Sequence, residues 1–384
     1  MGKRIVVTVI SDLVTDQRVH KVCQTLCENG YSVLLIGSRK KKSLPLEKRD
    51  YDTSRIPVLF QRTILFYLEF NAKLFFKLFF LRANIFLGND LDVMAATWLA
   101  SAMKRKPVIY DTHEYYMEMA GLDHKYFRRK IWKGLETFIF RRVRYIYTIS
   151  DSFCLLYKKD YNKDLKTVRN VPYSQFHENA SLQPLINEII AKIPTGKHIL
   201  IFQGAGINPH RGVEELVLAM KWLNPEKYHL LLIGGGDIFS QVENLVSVNN
   251  LTDRIMIIPK IPFAALRAIT KHAELGLSLD KADNINHRYG LPNKIFDYLH
   301  AGVPVLVSRL VELEKIVNQY NVGTFIDSHD PEHIASVIER VLNDPAQLQT
   351  WKANTIKVKD ELNWEKEGKI VLDIFKQVEA ETVN

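Results

Sequence analysis

The residues from Arg288 to Ser308 read RYGLPNKIFDYLHAGVPVLVS, and their types and spacing suit a grip on a phosphorylated ligand. Gly290, Pro292 and Asn293 are loop formers, and the run after them is apolar at helical spacing through Ile295, Tyr298 and Leu299. A helix is expected to start beside Asn293, with unsatisfied N–H groups and the positive end of its dipole facing the loop. Lys294 adds a full positive charge there, and Asp297, one turn further, can accept hydrogen bonds from a vicinal diol such as a ribose. Gly302 closes the helix and Pro304 opens VPVLV, a short apolar run suited to a strand buried on both faces.

Further motifs offer compatible chemistry. FQGAGINPHRGVEELVLAM, residues 202–220, reads as strand, glycine loop and helix. Gly204 and Gly206 let a backbone come close to phosphate, and Arg211 stands where a guanidinium could clamp a diphosphate. Gly234, Gly235 and Gly236 follow YHLLLI as a sharp strand exit with no side chain in a ligand's way. In the first half of the chain, YDTHEYY sets His113 and Glu114 just beyond the strand PVIYD, at the carboxyl end where α/β proteins hold ligands, with Asp111 placed to orient the imidazole.

Something must position these groups, and the hydrophobic pattern says what. RIVVTVI, YSVLLIG, ANIFLG, PVIYD and RYIYTIS alternate with helical stretches, and after a polar, proline-punctuated segment the alternation resumes through HILIFQG, YHLLLIGGG, RIMIIPKI, ELGLSL and VPVLVS. The pattern predicts an α/β fold of two Rossmann-like, doubly wound domains, with 1–178 as the first, 179–196 as a linker holding one short helix, and 197–362 as the second. Length and composition agree: 384 residues suffice for two ordinary domains, and 47% hydrophobic with 25% charged residues is globular. Three cysteines cannot all pair, and Cys23 and Cys27 have no second pair to complete a zinc site, so all are expected reduced, in the core of a cytosolic chain. No secretory pattern follows the short apolar run Ile5–Ile10.

Charge is divided unevenly, +14 over residues 1–170 and −5 over the remainder. The first half is therefore expected to meet an anionic partner. With no helix-turn-helix, zinc-finger or RNA-recognition signature, nucleic acid is excluded in favour of an anionic membrane surface. Two segments could reach it. In TILFYLEFNAKLFFKLFFLR, from Thr63, twelve Leu, Ile and Phe favour insertion by roughly 4–7 kcal/mol, whereas Glu69, Lys73 and Lys77 oppose it by roughly 7–10. This segment should not span a membrane; its charges form one stripe and its broad apolar face is expected to pack on the first sheet. KYFRRKIWKGLETFIFRRVR, from Lys125 to Arg144, carries eight basic residues beside apolar ones at helical spacing, which suits an anionic interface, with Arg128, Arg129, Arg141 and Arg142 as expected contacts.

On these motifs the chain resembles the retaining glycosyltransferases of GT-B type, family 4. That family has two Glu separated by seven residues before a Gly-x-Pro strand, and here Tyr289 stands at the first position and Asp297 at the second, before Gly302-Val303-Pro304. Arg211-Gly212 matches the family's Lys-Gly at the end of its glycine loop, while Gly204-Ala205 replaces an earlier Gly-Arg. The resemblance implies two domains facing a central cleft, with residues 363–384 forming a terminal helix that crosses back towards the first. It implies a nucleotide-sugar substrate, UDP-sugar before GDP-sugar, held by Arg211, Lys294, Gly204, Gly206, Gly234, Gly235, Lys260, Pro292, Asn293 and Asp297, with the Lys260-Ile261 backbone near the base. His113 matches the family's Asp-x-His contact to the donor sugar, and Asp16 and Arg18 fall near its acceptor entrance. The acceptor implied is a glycolipid or lipid-diphosphate-linked glycan, or a polysaccharide, met at the inner face of a membrane by a cytoplasmic, peripherally bound enzyme. No cofactor and no metal are implied. Alternatives at this stage are a metal-dependent GT-A enzyme, for which Asp50-Tyr51-Asp52 and Asp90-Leu91-Asp92 fit the letters, a nucleotide-sugar 2-epimerase, and a non-catalytic membrane-docked scaffold of the same fold.

Overall fold

The apolar runs do form parallel strands. A computed structural model describes residues 3–14, 16–61, 63–116, 126–175 and 179–383, and the side chains of 126–128 and 383 fall outside this set. Two compact units emerge, the first from residues 1–170 with 364–384, the second from Val171–Asn363. The first unit's sheet comprises β1 (Arg4–Thr8), β2 (Ser32–Arg39), β3 (Asp52–Pro57), β4 (Ile85–Asn89), β5 (Val108–Thr112), β6 (Tyr145–Thr148) and β7 (Lys166–Thr167). The second unit's comprises β8 (His198–Gly204), β9 (Tyr228–Gly234), β10 (Ile255–Pro259), β11 (Leu275–Ser278), β12 (Val305–Ser308) and β13 (Gly323–Ile326). Ile5, Val6 and Val7 in β1, and Leu230 to Leu232 in β9, are fully buried, as strands covered by helices on both faces must be.

The strand order is β3-β2-β1-β4-β5-β6-β7 in one sheet and β10-β9-β8-β11-β12-β13 in the other, with every ladder between neighbours parallel. In each sheet the order reverses once, between β1 and β4 and between β8 and β11. The loops leaving such adjacent strands diverge, opening the crevice where open α/β sheets hold ligands. The short strands β3, β7 and β13 add to those expected.

Residues 179–196 contain the helix Gln183–Ile190 and cluster with the second unit, as do the described residues from Val171 onward that were assigned to the end of the first domain. The helix Trp364–Val383 clusters with the first unit. There the Trp364 indole donates to Thr25 Oγ1 at 2.9 Å and lies under Lys21 Nζ, 4.8 Å from the ring centre, while Glu367 accepts the Arg169 backbone N–H at 2.8 Å.

The helix Thr63–Phe80 turns Phe66, Phe70, Leu74 and Leu78 into the first unit's core beside Val6, Leu34 and Phe86. Tyr67 and Phe75 pack partly against the same core, whereas Leu65, Leu68, Phe76 and Phe79 point outward, so less of the apolar surface is covered than the sequence suggests. All three cysteines are free, but only Cys23 is buried; Cys27 and Cys154 are partly exposed.

Candidate donor-binding and catalytic site

In the second unit, the site grows from the reversal between β8 and β11. Asp280, just past the end of β11, is fully buried and accepts Arg211 Nη1 at 2.7 Å and Ser278 Oγ at 2.9 Å. Lys294 Nζ lies 3.1 Å from Oδ2, the oxygen that Ser278 also reaches. Burial alone would raise the Asp280 carboxyl; Lys294 and Arg211 overcome it and hold the group at about 2. Lys294 is lowered by its own burial, which Asp280 opposes, and its ammonium also lies 4.4 Å from the centre of the Phe202 ring. Arg211 and Lys294, expected on one phosphate, are thus brought to one point. A single carboxylate balances only one of the two charges.

Asp297 lies on the adjoining helix Lys294–His300, where Gln203 Nε2 donates to its Oδ2 at 3.3 Å. Gln203 is itself fixed, accepting from Thr270 Oγ1 at 2.8 Å, while its backbone N–H donates to Tyr298 Oη at 3.0 Å. Pro292 and Asn293 lead into the same helix, and the Asn293 side chain makes no capping bond. The helix has seven residues, as has Val213–Ala219 behind Arg211, so the macrodipole expected to favour an anion is short and the charged side chains dominate. Gly212 opens that second helix at φ +72°, where a Cβ would come within 2.2 Å of the Leu279 carbonyl oxygen; the loop bearing Arg211 is pressed against the segment bearing Asp280.

The two glycine turns serve a purpose other than the open passage expected. A Cβ on Gly234 would stand 1.9 Å from the Gly204 carbonyl oxygen, and one on Gly236 2.3 Å from Ile207 N. The Gly235 N–H donates to Gly204 O and the Ile207 N–H to Gly235 O, at 3.2 and 2.8 Å. These glycines therefore bring loop against loop. Gly206 with Ala205 stays exposed beside them, and the position a Gly235 Cβ would take lies against the aliphatic chain of Lys260, itself exposed.

Sequence reasoning missed Asp280, Gln203 and His287. A carboxylate ending the ELGLSLD strand was the available signal for Asp280. His287, on the short helix Ile285–Tyr289, has a buried Nδ1 without a hydrogen-bond partner. Burial, then the Arg211 charge, pushes its basicity down. Tyr289, at the first acidic position of the family pattern, ends this helix.

In the first unit, a second cluster occupies the reversal between β1 and β4. Arg18 Nε and Nη2 donate to Asp111 at 3.0 and 2.8 Å, and Nη1 donates to the Val168 carbonyl at 2.7 Å. Arg18, expected near an acceptor entrance, is instead buried on the helix Gln17–Glu28, where the chain packs its guanidinium against a strand-end carboxylate. Asp16 caps that helix, accepting from Val19 N at 3.2 Å and Ser11 Oγ at 3.0 Å, so its oxygens are committed locally.

His113 has Nδ1 3.1 Å from Asp90 and Nε2 3.1 Å from Asp111, the latter an ion-pair approach without hydrogen-bond alignment. Its backbone N–H donates to Asp90 Oδ1 at 2.9 Å. Burial opposes the imidazolium, but Asp90 and Asp111 raise the ring well above its ordinary value and it stays charged. Asp90 takes a left-handed φ of +65° at the head of the helix Leu91–Lys104 without capping it, because its carboxylate is turned to His113. Asp92 is buried, and burial followed by the Asp90 charge raises it well above the usual carboxylate range. Among the described residues, no group of three or more His, Cys, Asp or Glu is arranged to hold a metal ion.

Residues 186–358 match the family model for glycosyl transferases group 1. An uncharacterized glycosyltransferase of Methanocaldococcus jannaschii is 21% identical over 232 residues, 60% of this chain and 58% of the relative, so under two thirds of that protein's length is matched. Among solved structures, sucrose-phosphate synthase of Thermosynechococcus elongatus superposes with a TM-score of 0.80 at 17% identity, covering 99% of this chain and 100% of that one. HepE of Anabaena in complex with UDP and glucose gives 0.74 at 12% identity, covering 98% and 100%. The second unit thus carries a glycosyl transferases group 1 domain, and the chain has the fold of the GT-B glycosyltransferases.

Proposed function

We propose that the chain transfers a sugar from a nucleotide-sugar, UDP-sugar before GDP-sugar, to a hydroxyl of a lipid-linked or polysaccharide acceptor, with retention at the anomeric carbon. The observation that carries this reading is the pair of cations, Arg211 and Lys294, fixed on one buried carboxylate at the β8/β11 reversal. Their unbalanced charge suits a diphosphate, and Asp297 beside it suits a ribose diol. The HepE structure with UDP supports a nucleotide-sugar donor.

In the reaction, the bond between the anomeric carbon and the diphosphate oxygen breaks as the acceptor oxygen bonds to that carbon from the same face. The proton of the acceptor hydroxyl passes to the leaving phosphate oxygen. Arg211 and Lys294 stabilise the negative charge that develops there, and because Asp280 already holds them in place, little reorganisation is needed during the step. His113, with its two ring nitrogens turned to Asp90 and Asp111, contributes to this reading as a fixed positive charge toward the donor sugar and not as a base. Asp16 and Arg18, committed to a helix cap and a buried ion pair, are not assigned to the acceptor.

A hydrolysis screen across UDP-, GDP- and ADP-sugars tests the reading without an acceptor. Slow release of one nucleoside diphosphate is expected, lost in Lys294→Ala. Absence of release from all three donors, together with no nucleoside diphosphate binding, would contradict it.

A further inference from the structure

The helix Thr63–Phe80 has two apolar faces, and the fold uses one. Phe66, Phe70, Leu74 and Leu78 face the core, while Leu65, Leu68, Phe76 and Phe79 lie on the opposite side at spacings that keep them in one outward stripe. They are not marginally exposed: Leu68 is 60% exposed and Phe76 62%, and Phe80, at the helix end, is 80% exposed. The helix's charges do not interrupt the stripe, because they are tied sideways. Glu69 accepts the backbone N–H groups of Leu59 and Phe60 and pairs with Lys73 at 2.6 Å, and Lys77 donates to Ser54 at 2.7 Å. The neighbouring helix Leu91–Lys104 exposes Leu99 and Met103. Lys104 Nζ sits 5.7 Å from the Phe79 ring centre, followed by exposed Arg105 and Lys106.

We infer that this outward stripe, rimmed by Lys104, Arg105 and Lys106, docks the first unit on an anionic lipid surface by shallow insertion of Leu68, Phe76 and Phe80. It rests on the proposed lipid-linked acceptor, which would present such a surface. The occupant follows from charge: the first unit holds 34 Lys and Arg against 22 Asp and Glu, so two copies meeting on this face would repel, whereas anionic headgroups complement it. Aromatic and aliphatic side chains above a basic rim match an interfacial rather than a spanning element, and among the described residues no helix is long and apolar enough to cross a membrane.

The site expected from sequence differs. On the helix Tyr126–Arg142 the apolar residues are largely occupied: Ile139 and Phe140 are buried, Trp132 lies against Tyr67 and Tyr116, and Phe138 packs edge-on to Trp98 with Arg142 over its ring at 3.9 Å. Arg129 and Arg141 are exposed, while Lys125 and the Arg128 side chain lie outside the described residues. Among its described side chains, Ile131 is the exposed large apolar residue, so that helix offers more charge than free apolar surface.

The test is co-sedimentation of the full chain with phosphatidylcholine vesicles and with vesicles containing phosphatidylglycerol, at low and high salt, with donor hydrolysis measured in parallel. Leu68→Ser, Phe76→Ser and Phe80→Ser combined should lower binding to anionic vesicles at least tenfold and leave the thermal midpoint and donor hydrolysis unchanged. Arg105→Gln with Lys106→Gln should reduce binding less, and only at low salt. Binding of the triple variant equal to wild type overturns the proposal. So does a concentration-dependent dimer in lipid-free buffer that the triple variant abolishes, since the stripe would then join two copies. Loss of donor hydrolysis in the wild-type chain would count against the proposed reaction and not against docking.

Discussion

Two clusters of opposite character occupy equivalent places in the two sheets. Each is built at the strand-order reversal, on a buried strand-end aspartate that holds two cationic groups: Asp280 with Arg211 and Lys294, Asp111 with Arg18 and His113. In the first unit Asp90 supplies a second carboxylate, so charges balance and each imidazole nitrogen lies 3.1 Å from a carboxylate oxygen. In the second unit, among the described residues, the one carboxylate of Asp280 pairs with both cations. A balanced cluster fixes its members in place; a cluster with surplus charge is completed by an anion. By this criterion the second cluster is the one suited to the proposed diphosphate, and the first holds a rigid imidazolium.

The largest expected effect separates the clusters by burial. Asp111→Asn leaves the Arg18 guanidinium buried without a countercharge and should destabilise the chain by about 3–5 kcal/mol in chemical denaturation. Asp280→Asn should cost less, because Arg211 is partly exposed and Lys294 can release its proton more readily than a guanidinium. The reverse ranking would break the comparison. Both aspartates are held at about 2 in the folded state, below the unfolded value near 3.9. Their contribution to stability is therefore present above about pH 4 and lost as pH falls towards 2.

Next in size is His113→Ala. If the proposed role holds, removing this fixed charge should slow transfer by about 10²-fold while nucleoside diphosphate affinity stays within about twofold. Equal losses in both would indicate a folding role instead. Arg211→Ala and Lys294→Ala should each weaken nucleoside diphosphate binding by about tenfold or more, since a charge-assisted contact contributes roughly 1.5–3 kcal/mol. Because either change also leaves Asp280 balanced by the remaining cation, the two losses should combine less than additively.

The smallest effect is an expected constancy. His113 is raised above its ordinary value, so it stays protonated as pH rises through 6.5, and the rate should show no His113-dependent change there. A step near pH 6.5 in wild type that His113→Gln removes would mark an ordinary, titrating imidazole and sharpen the first cluster's role into acid–base chemistry.

Much of this was legible in the chain. The two runs of alternating strands and helices could be read because parallel strands covered on both faces are continuous apolar runs, as in Leu230–Leu232. Arg211 and Lys294 could be singled out because basic residues stand out in loops at strand ends, and the fold brings them together on Asp280. Asp280 was not, since a lone strand-end carboxylate resembles any other until a long-range partner such as Arg211, 69 residues away, is seen beside it. Arg18 and Asp16 were misplaced for the same reason: the sequence shows a charged loop, and only the fold shows the charges turned inward to Asp111 and to the helix cap. The glycines of residues 234–236 were read as an open strand exit, but what comes close there is the backbone of Gly204 and Ile207.

The central claim is that surplus charge on Asp280 makes a diphosphate site, and calorimetric titration of UDP, GDP and ADP into the full chain tests it most directly. The account predicts that one of the three binds, that its affinity falls as salt rises, and that Arg211→Ala with Lys294→Ala lowers it more than tenfold without lowering the thermal midpoint below the measuring temperature. Binding of the same strength in a folded double variant would contradict it.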